Sequence, residues 1–560
     1  MNTLCGPRER DAFGGTNLGD DILKAGRRPV VLHGAGYRHG AVSAPHFETV
    51  NVGQAILREG GNAIEAMVAM AASIAAVYPH MNHIGGDGFW LIREPSGQVR
   101  ALMGAGPAGA NATIDFYRDH GHEKIPARGP LAALTVPGAV GTWVLALVLA
   151  KTLGGRLPLD LLLSPAAQQA REGYQVTRSQ ASLTRDKINE LKDAPGFAPT
   201  FLTHGVAPDV ETRLKQTALA ETFERLSRAG LEDFYRGDVG REIAQDLDQI
   251  GSPVTRHDLE SYRSTMANPL SVNVGCGTLF NTPLPTQGFA SLMILALFDR
   301  LNVSDVDDYE YVHGLVEATK RAFRVRDRFI GDPRDITLRP DFFLSEKFLE
   351  YEVRAIDPKR AARWPTSGNA GDTIWMGAAD SSGLVVSYIQ SIFWEFGSGC
   401  VLPRTGVLMQ NRGSSFSLEA GAINRLAPGR LPFHTLNPAI ADLNDGRIIA
   451  YGTMGGDGQP QTQAITFTRH VVFQQPLAVA LDRPRWLLGR TWGSEHTTLR
   501  LEPRFDAMMV DRLCAAGHEV ELLNEPYSDV MGHAGAVVWH GDGTMEAAHD
   551  PRADGGAAGL

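Results

Sequence analysis

Trp364-Pro-Thr-Ser-Gly-Asn-Ala-Gly-Asp372 runs directly into Thr373-Ile-Trp-Met-Gly-Ala-Ala379, and the character of the chain changes at that junction. The first stretch is built from Gly, Pro and small polar residues that cannot bury apolar surface, so it reads as an exposed linker. The second reads as a strand. Asp380-Ser-Ser-Gly383 supplies turn chemistry, and Leu384-Val-Val-Ser-Tyr-Ile-Gln-Ser-Ile-Phe393 is rich in β-branched and aromatic residues. The two runs therefore predict a β-hairpin with Thr373 as its first residue. A threonine there is ordinarily a strand former, favoured for steric reasons alone. Its position at the start of a new element also suits a nucleophile that becomes an N-terminus.

Working outward, the apolar residues from Phe47 to Val77 recur at helical spacing, and Gly60-Gly61-Asn62 divides them into two helices with Asn62 capping the second. Phe89-Trp-Leu-Ile92 and the residues after the Pro95-Ser-Gly97 turn form a short hairpin. Leu157 to Leu247 reads as a helical layer, strands return at Leu270 to Phe280, and Phe289 to Leu301 and Tyr311 to Ile330 read as long helices. Strands and helices in separate runs indicate an α+β or layered architecture without a βαβ rhythm.

The 560 residues are 43% hydrophobic and 21% charged, the composition of an ordinary globular protein. Lys and Arg number 53 against 63 Asp and Glu, without long runs of either sign, which argues against nucleic acid as a partner. No stretch reaches the roughly 18 to 20 apolar residues of a membrane span. The N-terminus has no apolar signal core, so a cytoplasmic location is expected. Cys5, Cys276, Cys400 and Cys514 are too scattered for a zinc ribbon, a redox pair or a disulfide framework. His80 and His83 lack a neighbouring carboxylate or cysteine cluster, and neither a metal nor a cofactor is expected. Gly85-Gly86-Asp87-Gly88 precedes a strand and reads as a backbone turn. Gly452-Thr-Met-Gly455-Gly456-Asp-Gly458 follows a strand and precedes a Gln-rich segment that opens a helix. Its N–H groups suit a negative oxygen, and a tight turn explains it equally well.

Ala44-Pro-His46, Arg58-Glu-Gly-Gly-Asn-Ala63, Pro79-His80, Ile84-Gly-Gly-Asp-Gly-Phe89, Thr135-Val-Pro-Gly-Ala139, Asp372-Thr373, Phe396-Gly-Ser-Gly399, Met454-Gly-Gly456 and Asp550-Pro-Arg552 together resemble the ordered signatures of the gamma-glutamyltranspeptidase family. The resemblance implies a four-layer αββα sandwich of the N-terminal nucleophile hydrolases. It also implies a precursor that cuts itself between Asp372 and Thr373. Beyond an arm at 1–28, the chain would then divide into a large segment, 29–372, and a small one, 373–560, held together as a heterodimer and intertwined in one unit, with pairing of these units left open. The freed α-amine of Thr373, with an ordinary pKa of about 7.7 to 8, would serve as the base for its own hydroxyl. By resemblance, Ser391 orients that amine, and Gly455 and Gly456 provide the oxyanion donors.

The resemblance fails where the family holds an amino acid. Met103 or a neighbour stands at the place of the carboxylate-binding arginine, Ser415 at that of the ammonium-binding aspartate, His434-Thr435 at a Ser-Ser pair, and Phe393 at an asparagine. A zwitterion would lose both its partners, which disfavours a γ-glutamyl substrate. Arg412, His434 and Thr435 remain to hold one small carboxylate, while Phe393 and Trp394 narrow the pocket. That combination suits a short anionic amide without an amino group, such as oxamate. Ile389-Gln-Ser-Ile392, Gln410-Asn-Arg-Gly413, Pro432-Phe-His-Thr-Leu-Asn437 and Gly455-Gly-Asp-Gly-Gln-Pro460 most resemble the branch of the family that hydrolyses oxamate in purine breakdown. The alternatives are a γ-glutamyl hydrolase or transferase, an acylase for bulkier side chains, and a non-catalytic relative. Arg412 could equally belong to a structural salt bridge, and His434 could be a satisfied core histidine.

Overall fold

The hairpin at Thr373 alternates two kinds of buried side chain, and each kind packs into its own core. A computed structural model describes residues 32–364, 372–489 and 497–560 of the chain. The expected N-terminal arm, Cys5 and residues 365–371 of the linker lie outside the described residues. Strands Asp372–Asp380 and Val385–Phe393 pair antiparallel, as their sequence predicts. Ile374, Met376, Ala378, Val386 and Tyr388 face one core, while Trp375, Ala379, Val385 and Ile389 face another. The period of two thus separates a helix-covered face from one covered by a second sheet.

That hairpin lies near the centre of a seven-stranded sheet ordered Gly556–Gly559, Gly40–Ala44, Asp372–Asp380, Val385–Phe393, Asp87–Arg93, Val99–Gly104, Thr265–Ala267. A second seven-stranded sheet is ordered His33–Tyr37, Met545–His549, Ala534–Trp539, Ile448–Thr453, Ala439–Leu443, Gly277–Asn281, Leu270–Val274. All neighbouring strands in both sheets run antiparallel. Strands from before and after residue 372 mix in each sheet, so neither sheet belongs to one side of the junction alone.

Helices Phe47–Arg58, Ala63–Val77, Ala139–Thr152 and Leu159–Glu172 cover the outer face of the first sheet. Helices Gly288–Asp299, Tyr309–Phe329 and Gln459–Phe467 cover that of the second. The result is the four-layer αββα sandwich. Asn62 caps its helix as expected, exchanging backbone and side-chain hydrogen bonds with Glu65 in a capping box.

Trp375 fastens the two sheets beside the site. Its indole nitrogen donates to Ser387 Oγ at 2.9 Å. Its ring lies so close to the second sheet that a Cβ on Gly452 would stand 2.1 Å from it, and one on Gly535 2.5 Å. Glycine is required at both positions by this approach. The contact brings strand Ile448–Thr453, and the glycine loop at its end, alongside the strand that begins at Asp372.

Candidate active site

Thr373 faces a bulge. Asp372 pairs with Phe393 and Ile374 with Gln390, so Thr373 alone opposes both Ser391 and Ile392. Bulges bend a strand and redirect its side chains. Here the Thr373 hydroxyl donates to Ser391 Oγ at 3.3 Å, across 18 positions of sequence. Ser391 Oγ in turn accepts from the Phe393 N–H at 2.8 Å, where the backbone of Phe393 takes a φ of +83°. A left-handed phenylalanine is costly, and such strain gathers where a site demands a shape. A side chain on Gly86 would bring its Cβ to 2.1 Å from the Ser391 carbonyl oxygen, so the Gly85–Gly88 turn supports the bulge from below.

The glycine loop closes over the same hydroxyl. Gly455 and Gly456 have φ of +112° and +52°, turning the chain from strand Ile448–Thr453 into helix Gln459–Phe467. Gln459 Nε2, in the first turn of that helix, donates to Thr373 Oγ1 at 3.2 Å. Gln287 Nε2 bridges the carbonyls of Gly456 and Thr435 at 2.8 and 2.7 Å. Arg326 holds this bridge, reaching Gln287 Oε1 at 2.8 Å and Asp457 Oδ1 at 3.0 Å. Neither Gln459 nor Gln287 stands out in sequence, because Gln459 is one glutamine of a Gln-rich stretch and Gln287 is a lone glutamine in a Pro-rich loop. Their roles arise from pairing across layers.

A buried cationic pocket adjoins the bulge. Arg412 lies with its guanidinium 3.8 Å from the centre of the Phe393 ring and donates to Thr435 Oγ1 at 3.3 Å and to the Phe433 carbonyl at 3.5 Å. Ser415 Oγ reaches the same carbonyl at 3.5 Å. Arg412 is 1% exposed and, among the described residues, has no carboxylate in ion-pair contact, which rules out the structural salt bridge that was its alternative. Burial pulls the guanidinium down from its ordinary value, and Asp87 and Asp457 push it back up. Arginine keeps its proton in proteins, so the pocket retains a positive charge. Phe393 thus lies against the cation as well as beside Trp394, whose ring centre is 5.9 Å away. Met103 sits on strand Val99–Gly104 in the core between the sheets.

Asp87 changes the reading of its loop. It is 1% exposed, and its Oδ1 accepts from Gly106 N, Gly138 N and Gln410 Nε2 at 3.1, 3.0 and 3.0 Å. Its Oδ2 lies 3.0 Å from His434 Nε2. Beyond a turn, Gly85–Gly88 therefore delivers a buried carboxylate to the pocket. The sequence signal was available: an aspartate at the first position of the apolar strand Asp87–Arg93 needs partners inside the protein.

His80 and His83 are both fully buried. His80 Nε2 contacts Ser179 Oγ at 3.1 Å, and His83 Nδ1 accepts from the Leu408 N–H at 3.1 Å. The described residues bring three other groups of metal-ligating type together, His313, Glu317 and His518. The Lys320 ammonium lies among them, 2.7 Å from Glu317 and 3.5 Å from His518. Cys276 and Cys400 are free thiols. No helix among the described residues is long and apolar enough to cross a membrane.

Residues 49–560 match the profile of the Gamma-glutamyltranspeptidase family. The chain is 51% identical to an oxamate amidohydrolase proenzyme of Klebsiella pneumoniae over 93% of its own length and 98% of the relative's. It is 36% identical to a glutathione hydrolase-like YwrD proenzyme of Bacillus subtilis, with the same coverage. Among solved structures it resembles cephalosporin acylase from Bacillus halodurans, with a TM-score of 0.87 and 28% identity over 98% of this chain and 99% of the other. These relatives are hydrolases of amide bonds. With the sandwich and the ordered motifs supported by a family match over most of its length, the chain belongs to the gamma-glutamyltranspeptidase family.

Proposed function

We propose that the chain is a self-processing amidohydrolase that converts oxamate to oxalate and ammonia through an acyl-threonine intermediate. The observation that carries this reading is the juxtaposition of the Thr373 hydroxyl with a buried arginine. Thr373 is linked through Ser391 and Phe393 to Arg412. Arg412 is linked through Thr435 and Gln287 to the Gly456 loop.

Cleavage of the Asp372–Thr373 bond frees an amine one residue's reach from its own hydroxyl. That amine takes the hydroxyl proton as Thr373 Oγ attacks the amide carbon, and it passes the proton to the departing nitrogen. Ser391 holds the hydroxyl in position, and the N–H groups of Gly455 and Gly456 stabilise the oxyanion, a contribution worth about 3 to 4 kcal/mol per donor in comparable sites. Arg412 and Thr435 bind the substrate carboxylate. Water then takes the place of ammonia and releases oxalate. Ser415 is an ordinary hydroxyl that offers no charge to an ammonium group, and Met103 offers none to a carboxylate, which weighs against a γ-glutamyl substrate.

Release of ammonia from oxamate, compared with hydrolysis of γ-glutamyl-p-nitroanilide, tests the reading. Faster turnover of oxamate is expected. Faster turnover of the γ-glutamyl compound would overturn the substrate assignment.

A further inference from the structure

We infer that Asp87 fixes His434 as a hydrogen-bond acceptor for the amide N–H of the substrate, so that the pair selects a carboxamide at the bond the enzyme hydrolyses. The inference rests on the amidohydrolase reading above and extends it from the carboxylate end of the substrate to its leaving group.

The geometry begins at Asp87. Three N–H donors occupy its Oδ1, which leaves Oδ2 facing His434 Nε2 at 3.0 Å. A carboxylate oxygen can only accept, so the hydrogen between them is brought by the imidazole. The contact is close but bent away from a full-strength hydrogen bond, which still favours the proton on Nε2 over Nδ1. Nδ1 then carries a lone pair. His434 is 0% exposed, and neither ring nitrogen meets full hydrogen-bond geometry with a described residue; Nε2 has the Asp87 carboxylate at 3.0 Å, whereas Nδ1 has no such contact. A buried acceptor without a donor is costly unless a ligand supplies one.

The surroundings keep the ring neutral. Burial and the neighbouring Arg412 cation bring the imidazole down to about 4, against the opposing pull of Asp87. Phe89 lies edge-on to it at 4.8 Å between ring centres, an apolar wall that offers Nδ1 nothing. His434 also belongs to the segment that encloses Thr373. Its neighbour Thr435 accepts from Arg412, and the Asn437 N–H donates to Gln459 Oε1 at 3.3 Å while Gln459 Nε2 reaches Thr373. The sequence reading has His434 help hold a carboxylate. A neutral ring that presents a lone pair would instead repel a carboxylate and accept an amide hydrogen. The carboxylate is thereby left to Arg412 and Thr435, and the amide nitrogen to His434. An ester, which has no hydrogen at that place, meets the lone pair with another.

The test compares oxamate with the monomethyl ester of oxalate, which has the same charge, so that changes in the pocket's charge cancel in the ratio of their kcat/KM values. Asp87→Asn keeps the shape but lets an amide N–H donate to Nε2, which moves the imidazole proton to Nδ1. The oxamate-to-ester ratio is expected to fall by about tenfold or more, the change associated with one misplaced hydrogen bond. His434→Leu removes the acceptor and lowers the same ratio, and it carries the test alone if Asp87→Asn does not fold. A ratio within about twofold of wild type in the folded variants would overturn the inference. If wild-type protein turns over neither compound, the amidohydrolase reading itself fails. The tautomer is then read directly in protein with 15N-labelled histidines, where the signal lost in His434→Leu belongs to this ring. A proton on Nδ1 in the wild type would overturn the inference independently.

Discussion

Arg412 is where burial and charge oppose each other most sharply. Its guanidinium lies against an aromatic face, with one hydroxyl and one carbonyl as hydrogen-bond partners and, among the described residues, without a carboxylate at ion-pair distance. A bound carboxylate would supply the missing countercharge. Charge-assisted hydrogen bonds contribute roughly 1.5 to 3 kcal/mol each, so Arg412→Met should lower kcat/KM for oxamate by at least about tenfold. Arg412→Lys should recover little of it, because an ammonium cannot provide the planar fork. Steady-state kinetics on the three proteins checks this, and equal values for wild type and Arg412→Met would remove Arg412 from the site. Thr373, Ser391, Arg412 and Thr435 were legible in the sequence, since motifs fix their places along the chain. Gln287 and Gln459 were not singled out, because each acts through a partner at least 86 positions away that only the folded layers bring near, and Asp87 was absorbed into the reading of its loop as a backbone turn.

At the scale of elements, the hairpin and the glycine-bearing strand have to meet across the two sheets. Trp375 against Gly452 sets how closely they do so. Gly452→Ala would place a Cβ 2.1 Å from a fully enclosed indole, and the ring is confined on its other side by Gly535. Overpacking of this kind costs about 1 to 3 kcal/mol. Thermal unfolding of Gly452→Ala should therefore show a clear loss of Tm, together with slower appearance of the cut chain. An unchanged Tm would mean that the sheets adjust freely there. The hairpin itself was legible because Ile374 to Ala379 and the β-branched and aromatic run from Leu384 to Phe393 flank the turn residues Asp380 to Gly383. The bulge opposite Thr373 was not, since nothing in the run Val385 to Phe393 marks an extra residue and only the pairing of Asp372 with Phe393 and Ile374 with Gln390 reveals it.

The whole molecule buries neutral histidines in numbers that make it sensitive to acid. Burial brings His46, His83 and His549 down to about 3 and His434 to about 4. In the unfolded chain each takes up a proton below about pH 6.5, whereas in the folded protein each stays neutral until its own lower value. The stability they contribute is therefore complete above pH 6.5 and is lost as the pH falls toward 4, by about 1.4 kcal/mol per pH unit for each ring. Thermal melts should lose several degrees between pH 7 and pH 5, and a flat profile across that range would contradict the burial of these rings. The layered class was legible from runs of strands and helices kept apart in the sequence. The interleaving of strands from both sides of residue 372 was visible only in the sheet order, and it explains how two chains could remain one body after a cut.

That cut is the claim on which the rest depends. The most direct measurement is the intact mass of freshly purified protein, with the N-terminal residue of each chain identified, for wild type and Thr373→Ala side by side. The wild type is expected to resolve into two chains, the smaller beginning at Thr373, while Thr373→Ala persists as one chain of 60.5 kDa. A wild-type protein that stays whole, or a Thr373→Ala variant that yields the same two pieces at the same rate, would contradict the role given to Thr373.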